Sequence, residues 1–185
     1  YKLKTWRLPL GSRTAKGKAI INILPIQSGV SIAAVMPVDA PEEEWEKLQI
    51  IFSTSSGDVR RNALSDFTNV RSNGKIAMDL PEETKLVNAR IANEDDDVML
   101  VTDSGRAIRF STTAVRVFKG RKSTGVRGIK ILGDDKVVSM SIIRHFEASP
   151  DERSAYLKMR RAVAGMSDDE VSSQEEEEEE INANA

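Results

Sequence analysis

The chain has 185 residues, with 27 Lys and Arg, 29 Asp and Glu, and a net charge of -2. It contains no cysteine, which excludes a disulfide framework and a thiolate zinc site and is consistent with a reducing cytoplasm. No run of 18 apolar residues occurs, so we predict no membrane-spanning helix. The charge is unevenly divided, because residues 1–149 carry a net charge of +5 and residues 150–185 carry -7.

Three stretches repeat one plan, which predicts an all-β fold built from neighbouring small units. Residues 50–61 and 98–109 both read as strand, Ser-Gly turn and strand, and their turn glycines lie 48 positions apart. In each copy a basic glycine loop follows, then an Ile-rich strand at 76–80 or 129–132. A further apolar strand, at 85–91 or 136–142, ends each copy.

The first copy is predicted to lack its opening strand, because residues 1–4 align with those after the Ser-Gly turn of the other two. Its remaining strands are predicted at 19–24 and 32–36. A chain that begins inside a repeat is interpreted as part of something longer. The connection at 40–47, which is rich in glutamate, is predicted to hold one helical turn.

A short helix is predicted after the last repeat. Ser149 has the character of an N-cap, Pro150 suits the first helical position, Glu152 completes a capping box, and Gly165 is a plausible stop. The residues that follow are too acidic and too poor in apolar groups to fold alone. The predicted organisation is therefore β units within 1–146 (repeats at about 1–39, 49–93 and 97–143), a helical segment at 147–166 and an acidic disordered linker or tail at 167–185.

Residues for catalysis are not evident. There is one histidine, His145, which we interpret as a surface or interdomain residue and not as a metal ligand. No Walker motif and no Ser, His and Asp arrangement are present. The acidic residues 94–97 lack the spacing of a calcium loop and are interpreted as a solvated turn. Trp6 is predicted to fill a gap between sheets, the alternative being that it stacks on a base, and Trp45 is predicted to cover an apolar edge.

Basic residues recur in the glycine loop of each repeat. Such loops suit phosphate groups, because Lys and Arg neutralise charge without reading bases and glycine allows the backbone to approach closely. The alternative is that Lys and Arg are simply common in exposed turns. The repetition favours a rim that binds polyanions, and the recurring basic residues are Arg13, Lys16, Lys18, Arg71, Lys75, Lys119, Arg121, Lys122, Arg127 and Lys130.

The chain resembles the C-terminal domain of the DNA gyrase A protein over roughly residues 1–143. The segments that carry the resemblance are 1–9, 12–26, 71–77 (Arg-Ser-Asn-Gly-Lys-Ile-Ala) and 124–130 (Thr-Gly-Val-Arg-Gly-Ile-Lys). The resemblance implies a partial β-pinwheel, a propeller-like disc of four-stranded blades that exchange strands, with duplex DNA wrapped around its basic perimeter. The DNA-binding candidates that it implies are Arg13, Lys16, Lys18, Arg71, Lys75, Arg121, Lys122 and Arg127. Since part of the disc is missing, an exposed edge strand is expected. The family's wrapping motif, Gln-Arg-Arg-Gly-Gly-Lys-Gly, is absent from this sequence.

The resemblance also implies a setting for the domain. The holoenzyme would be an ATP-hydrolysing bacterial type II topoisomerase that uses ATP and Mg²⁺, in which this chain holds no catalytic residue and no cofactor. Its partners would be double-stranded DNA, the rest of the gyrase A protein and the gyrase B protein, in the cytoplasm and without a membrane. Two alternatives remain open: the C-terminal domain of the related topoisomerase IV protein, which binds DNA without strong wrapping, and a propeller scaffold that binds proteins.

Overall fold

A computed structural model describes residues 1–27 and 29–164. The chain divides into one unit spanning Tyr1–His145 and a second that begins at Phe146. Within the described ranges, no helix has the length and apolar character needed to cross a membrane. The strands in chain order are β1 (Gln49–Thr54), β2 (Asp58–Ala63), β3 (Leu86–Ala92), β4 (Asp96–Thr102), β5 (Ala107–Ser111), β6 (Val126–Arg127) and β7 (Val137–Arg144).

The strands form two antiparallel sheets, as the all-β prediction requires. One has the order β3-β1-β2-β6 and the other the order β5-β4-β7. The predicted hairpins are confirmed as β1–β2 and β4–β5. The closing strands of the two repeats are confirmed as β3 and β7, which lie beside β1 and β4.

Both hairpins use the same turn chemistry. Gly57 and Gly105 have φ angles of 87° and 85°, in the left-handed region that glycine adopts without strain. In each turn a threonine hydroxyl accepts from the amide four residues on, at 3.0 Å for Thr54 and 3.3 Å for Thr102. The turns therefore have one local cause, which explains why the sequence alone could locate them.

The first sheet is completed by a strand from the following repeat. Strand β6 pairs with β2, with Val126 opposite Val59. Glycines at both ends of β6 allow this approach, since a Cβ at Gly125 would lie 2.3 Å from the Val59 carbonyl oxygen and one at Gly128 would lie 2.5 Å from the Val59 side chain. The Gly128 amide also donates to the Gly57 carbonyl at 2.8 Å.

Several predicted strands are absent. Of residues 1–27 and 29–48, none is in a strand, and the predicted strand at 19–24 contains a 3-10 helix at Ile20–Asn22. The segments 76–80 and 129–132 are also irregular. A strand needs a continuous ladder of backbone hydrogen bonds to a neighbour. The segments 76–80 and 129–132 make only isolated ones, such as Ile129 to the Gly57 carbonyl at 3.2 Å and Asp79 to the Ser123 carbonyl at 3.3 Å. The connection at 40–47 does contain the expected single turn, at Glu42–Glu44.

The apolar core has two parts, one on each face of β1. Ile51 belongs to a cluster that joins the two sheets, whereas Ile50 and Phe52 face the opposite way into a second cluster. Trp45, which was predicted to cover an apolar edge, lies buried in the second cluster, and its Nε1 donates to the Ala40 carbonyl at 2.9 Å. The packing prediction for Trp6 is wrong, because this side chain is 82% exposed on a one-turn helix outside both clusters.

The second unit contains the helix α1, Pro150–Ala164. Its capping box is confirmed. The Ser149 amide donates to the Glu152 carboxylate at 2.9 Å, and the Glu152 amide donates to the Ser149 hydroxyl at 3.2 Å. The hydrogen bond from the Ser149 backbone holds the pKa of Glu152 below its ordinary value. The predicted stop at Gly165 and the predicted acidic tail lie outside the described residues.

Candidate nucleic-acid interface

The predicted rim residues lie outside the sheets, except for Arg127 in β6. The loop of the first repeat turns at residues 12–15, and that of the second turns at residues 71–74, where each closing amide donates back across the turn. These turns leave the basic side chains outside both core clusters. Seven of the eight predicted residues are exposed: Arg13, Lys16, Lys18, Arg71, Arg121, Lys122 and Arg127.

Lys75 is the exception, because its ammonium group is directed at the protein. Its Nζ donates to the Asp66 carbonyl and lies 5.5 Å from the centre of the Phe67 ring. The side chain is half-buried. Sequence spacing placed Lys75 among the rim residues, but it gave no sign of these acceptors, which only the fold brings near.

The densest group of cations is the segment 116–123, which we call the basic loop. Its backbone and side chains line a shallow depression on the surface. The structure adds Arg116 to the predicted residues, with its guanidinium 3.9 Å from the centre of the Phe118 ring. Among the described residues, no ion pair involves the basic side chains of this loop, which are Arg116, Lys119, Arg121 and Lys122.

The start of the basic loop and the segment just before it are bound along β2. The Phe118 amide donates to the Arg61 carbonyl at 2.8 Å, and Arg61 and Val117 form a parallel bridge. The Arg61 guanidinium donates to the carbonyls of Thr112 and Val115 at 3.2 and 3.3 Å. Arg61 was missed as a functional residue, since a sequence shows an arginine in a strand but not the carbonyls that it reaches.

Arg60, the preceding residue of β2, is fully buried beneath the basic loop. Burial is the main cause that lowers its pKa from the ordinary value, with a further contribution from the positive charge of Arg116, while Asp66 acts in the opposite direction. An arginine side chain nevertheless remains protonated in proteins. Arg60 therefore places a positive charge under the loop.

The acidic residues 94–97 do not form a shared cation site. Glu94 pairs with Arg61 at 2.9 Å, whereas Asp97 accepts from His145 Nδ1 at 2.9 Å and lies 3.5 Å from Arg109 Nε. The interpretation as a solvated turn is wrong for Asp97, whose side chain is 3% exposed because β4 carries it inward. No group of three or more potential metal ligands occurs in residues 1–27 and 29–164.

Comparison with protein families gives a match over most of the β region. The family described as "DNA gyrase C-terminal domain, beta-propeller" matches residues 1–39, 49–93 and 96–144. The chain is 48% identical over 174 residues to the DNA gyrase A protein of Granulibacter bethesdensis, covering 91% of this chain and 18% of that protein. It is 42% identical over 159 residues to the DNA gyrase A protein of Rickettsia bellii, covering 86% and 18%.

Solved structures support the same fold. The chain is similar to the C-terminal domain of DNA topoisomerase IV, with a TM-score of 0.61 and 25% identity, covering 70% of this chain and 39% of that one. It is also similar to a DNA gyrase A C-terminal domain, with a TM-score of 0.58 and 22% identity, covering 68% and 40%. The chain thus spans about a fifth of the length of the curated relatives that it matches.

Proposed function

The chain belongs to the family of DNA gyrase C-terminal β-propeller domains, and from this premise we propose that it binds duplex DNA through the phosphate backbone and bends it around its basic surface. The observation that carries the proposal is the basic loop, with four exposed cations in eight residues. Among the described residues, acids pair with none of the four. Cations held outside ion pairs can release counterions from DNA, which is the main source of affinity that does not depend on sequence.

The wider activity is proposed from the relatives. As a segment of a gyrase A protein, the chain would hold DNA while the rest of that protein and the gyrase B protein pass one duplex through another and introduce negative supercoils. ATP and Mg²⁺ would be bound elsewhere in that assembly, and the catalytic residues would lie there too. The assembly would act on the bacterial chromosome in the cytoplasm.

A second candidate is favoured by the similarity to the topoisomerase IV domain. The two candidates differ in whether bound DNA is wrapped. If the chain wraps DNA, relaxed circular DNA that is closed in its presence will change in linking number. If it binds like the second candidate, DNA will bind but its linking number will change little. The same preparation of protein serves both this measurement and the binding measurement below.

The direct test is binding of the full 185-residue chain to a duplex of ~40 base pairs with arbitrary sequence, over a salt series. We expect affinity to fall with log salt by several units of slope, at about 0.9 per neutralised phosphate, and to be indifferent to sequence. The double variant Arg121→Gln/Lys122→Gln should lower the slope by about 2.

A matched control removes the same two charges elsewhere. Arg153 and Lys158 are exposed on α1, outside the residues that match the family. The double variant Arg153→Gln/Lys158→Gln should leave the slope unchanged if phosphates contact the basic loop. If the two double variants lowered the slope equally, the slope would depend only on net charge and not on the basic loop. A slope near zero in the wild-type chain would exclude a phosphate-binding surface.

A further inference from the structure

Two buried side chains of β2 hold the basic loop by its carbonyl groups. Arg60 Nη1 donates to the Ser123 carbonyl at 2.6 Å, and its Nη2 donates to the Gly120 carbonyl. Asn62 Nδ2 donates to the Phe118 carbonyl at 2.6 Å. The loop therefore has three of its carbonyl oxygens turned toward the interior.

The two side chains also hold each other. Arg60 Nε donates to Asn62 Oδ1 at 2.8 Å, so the guanidinium is fixed on both of its edges. Its central carbon lies 4.9 Å from the centre of the Phe118 ring, which is itself buried. Because an arginine fork is planar and rigid, these contacts set the shape of the loop and not only its attachment.

This arrangement has a chemical consequence for anions. A carbonyl oxygen on the outer surface would repel phosphate, whereas a carbonyl bound to a buried donor does not face it. A loop that is already ordered also loses less entropy when its cations engage a ligand. The arrangement is specific to this sheet, since the residues 48 positions after Arg60 and Asn62 are Ile108 and Phe110, which have no such donors.

We propose that Arg60 and Asn62 are positioning residues that determine how many phosphates the basic loop neutralises, without contacting DNA themselves. This inference rests on the proposed function. Asn62 gives the sharper test, because it is uncharged and its replacement leaves the electrostatics of the chain unaltered. A change in salt dependence would then report the geometry of the loop alone.

The experiment is the salt series with the full chain carrying Asn62→Ala. We expect the slope to fall by about 2 and the affinity at ~0.1 M salt to fall about tenfold or more. Partial unfolding would lower the active fraction at every salt concentration, but it would leave the slope as it was. Amide hydrogen exchange across residues 118–123 of the free protein should accelerate in the same variant.

Arg60→Lys is the second variant, and it tests the positioning role if Asn62→Ala does not fold. It keeps the charge but cannot reach the two carbonyls and Asn62 together, so a shallower slope supports positioning and a wild-type slope contradicts it. The double variant Arg121→Gln/Lys122→Gln separates the two proposals. If it lowers the slope while Asn62→Ala and Arg60→Lys do not, the positioning role is wrong and DNA binding by the loop stands. If none of the three lowers the slope, both proposals fail.

Discussion

The two sheets contain equivalent hairpins, but the second strand of the hairpin is covered by another strand in one sheet and is an edge strand in the other. In the four-stranded sheet, β6 covers β2, and Val59 and Arg60 are fully buried. In the three-stranded sheet, β5 is an edge strand, and Ile108 at the place of Arg60 is 38% exposed. The local turn chemistry is shared, so the difference comes from the strand that the following repeat supplies.

This contrast shows that the hairpin is only part of the structural unit. Strand β2 obtains its second neighbour, β6, from the next repeat, and β2 in turn binds the start of the basic loop, where Arg61 pairs with Val117. The sheet and the candidate interface are therefore parts of one assembly. Changes that remove β6 from β2 should damage the first sheet far more than the second.

The largest expected effect is that of Gly125→Ala. A Cβ at this position would lie 2.3 Å from the Val59 carbonyl oxygen, and the φ angle of 122° is unfavourable for any other residue. Since backbone must move to relieve the overlap, we expect a loss of more than ~3 kcal/mol in the free energy of unfolding. Urea unfolding measures it.

Gly133→Ala is the control for that substitution, since its φ angle is also positive but no atom lies within 4 Å of the added Cβ. It should cost about 1 kcal/mol, the backbone strain alone. Comparable losses at the two glycines would contradict the view that close approach of β6 to β2 is what requires Gly125.

The next largest effect is the loss of stability on replacing an arginine, which we expect to differ between equivalent positions of the two hairpins. Arg61→Met leaves the carbonyls of Thr112 and Val115 without their buried donor, so we expect a loss of about 2–4 kcal/mol. Arg109→Met removes a side chain that is 54% exposed and should cost about 1 kcal/mol or less. Thermal unfolding of both variants measures the difference in stability. Equal losses in the free energy of unfolding would show that the arginine of the covered strand stabilises the fold no more than the arginine of the edge strand.

Much of this fold could be predicted from local sequence. The hairpins, the closing strands and the α1 capping box depend on residues a few positions apart, such as Thr54 with Gly57 or Ser149 with Glu152, so their signals lie within one short window. The exposure of seven of the eight rim residues followed from the same logic, because basic residues beside turn glycines lie outside a core.

The remainder depends on contacts between distant segments. The position of β6 at Val126–Arg127, and not at 129–132, is set by how closely its glycines approach Val59. The inward direction of Lys75 depends on a carbonyl that the fold supplies. The roles of Arg60 and Arg61 were likewise hidden, since their acceptors lie about 50 to 60 residues away. Hydrophobic patterning carries no information about such partners.

A smaller effect is the difference in stability between alanine variants of the two turn glycines, Gly57 and Gly105. A Cβ on Gly57 would lie 2.7 Å from the Ile129 carbonyl oxygen, whereas one on Gly105 would meet no atom within 4 Å. Both residues have similar φ angles, so the backbone strain is the same in the two alanine variants. We expect Gly57→Ala to cost about 1–2 kcal/mol more than Gly105→Ala in urea unfolding. A difference near zero would show that the first turn can move away from Ile129 without loss.

The smallest expected effect is a dependence on pH that is present in the second hairpin turn and not shared by the first. In the second turn, Ser104 donates from its hydroxyl to Asp135 at 2.6 Å and from its amide at 3.0 Å, and these contacts, led by the hydroxyl, hold the pKa of the Asp135 carboxyl well below its ordinary value of 3.8. A depressed pKa means that the ionised carboxylate favours the folded state. Its contribution to stability is complete well above pH 3.8 and is lost as the pH falls below that value.

Carboxyl NMR titration of the full chain should therefore give a midpoint for Asp135 below 3.8, and Ser104→Ala should raise that pKa toward the ordinary value. In the first turn, Ser56 donates instead to Asp58, at 2.9 Å. Ser56→Ala should accordingly leave the Asp135 titration unchanged, which makes it the matched control. If Ser104→Ala did not move the titration midpoint of Asp135, the hydrogen bond from the Ser104 hydroxyl would not be the cause of the lowered pKa. The proposed difference between the two turns in their dependence on pH would then be wrong.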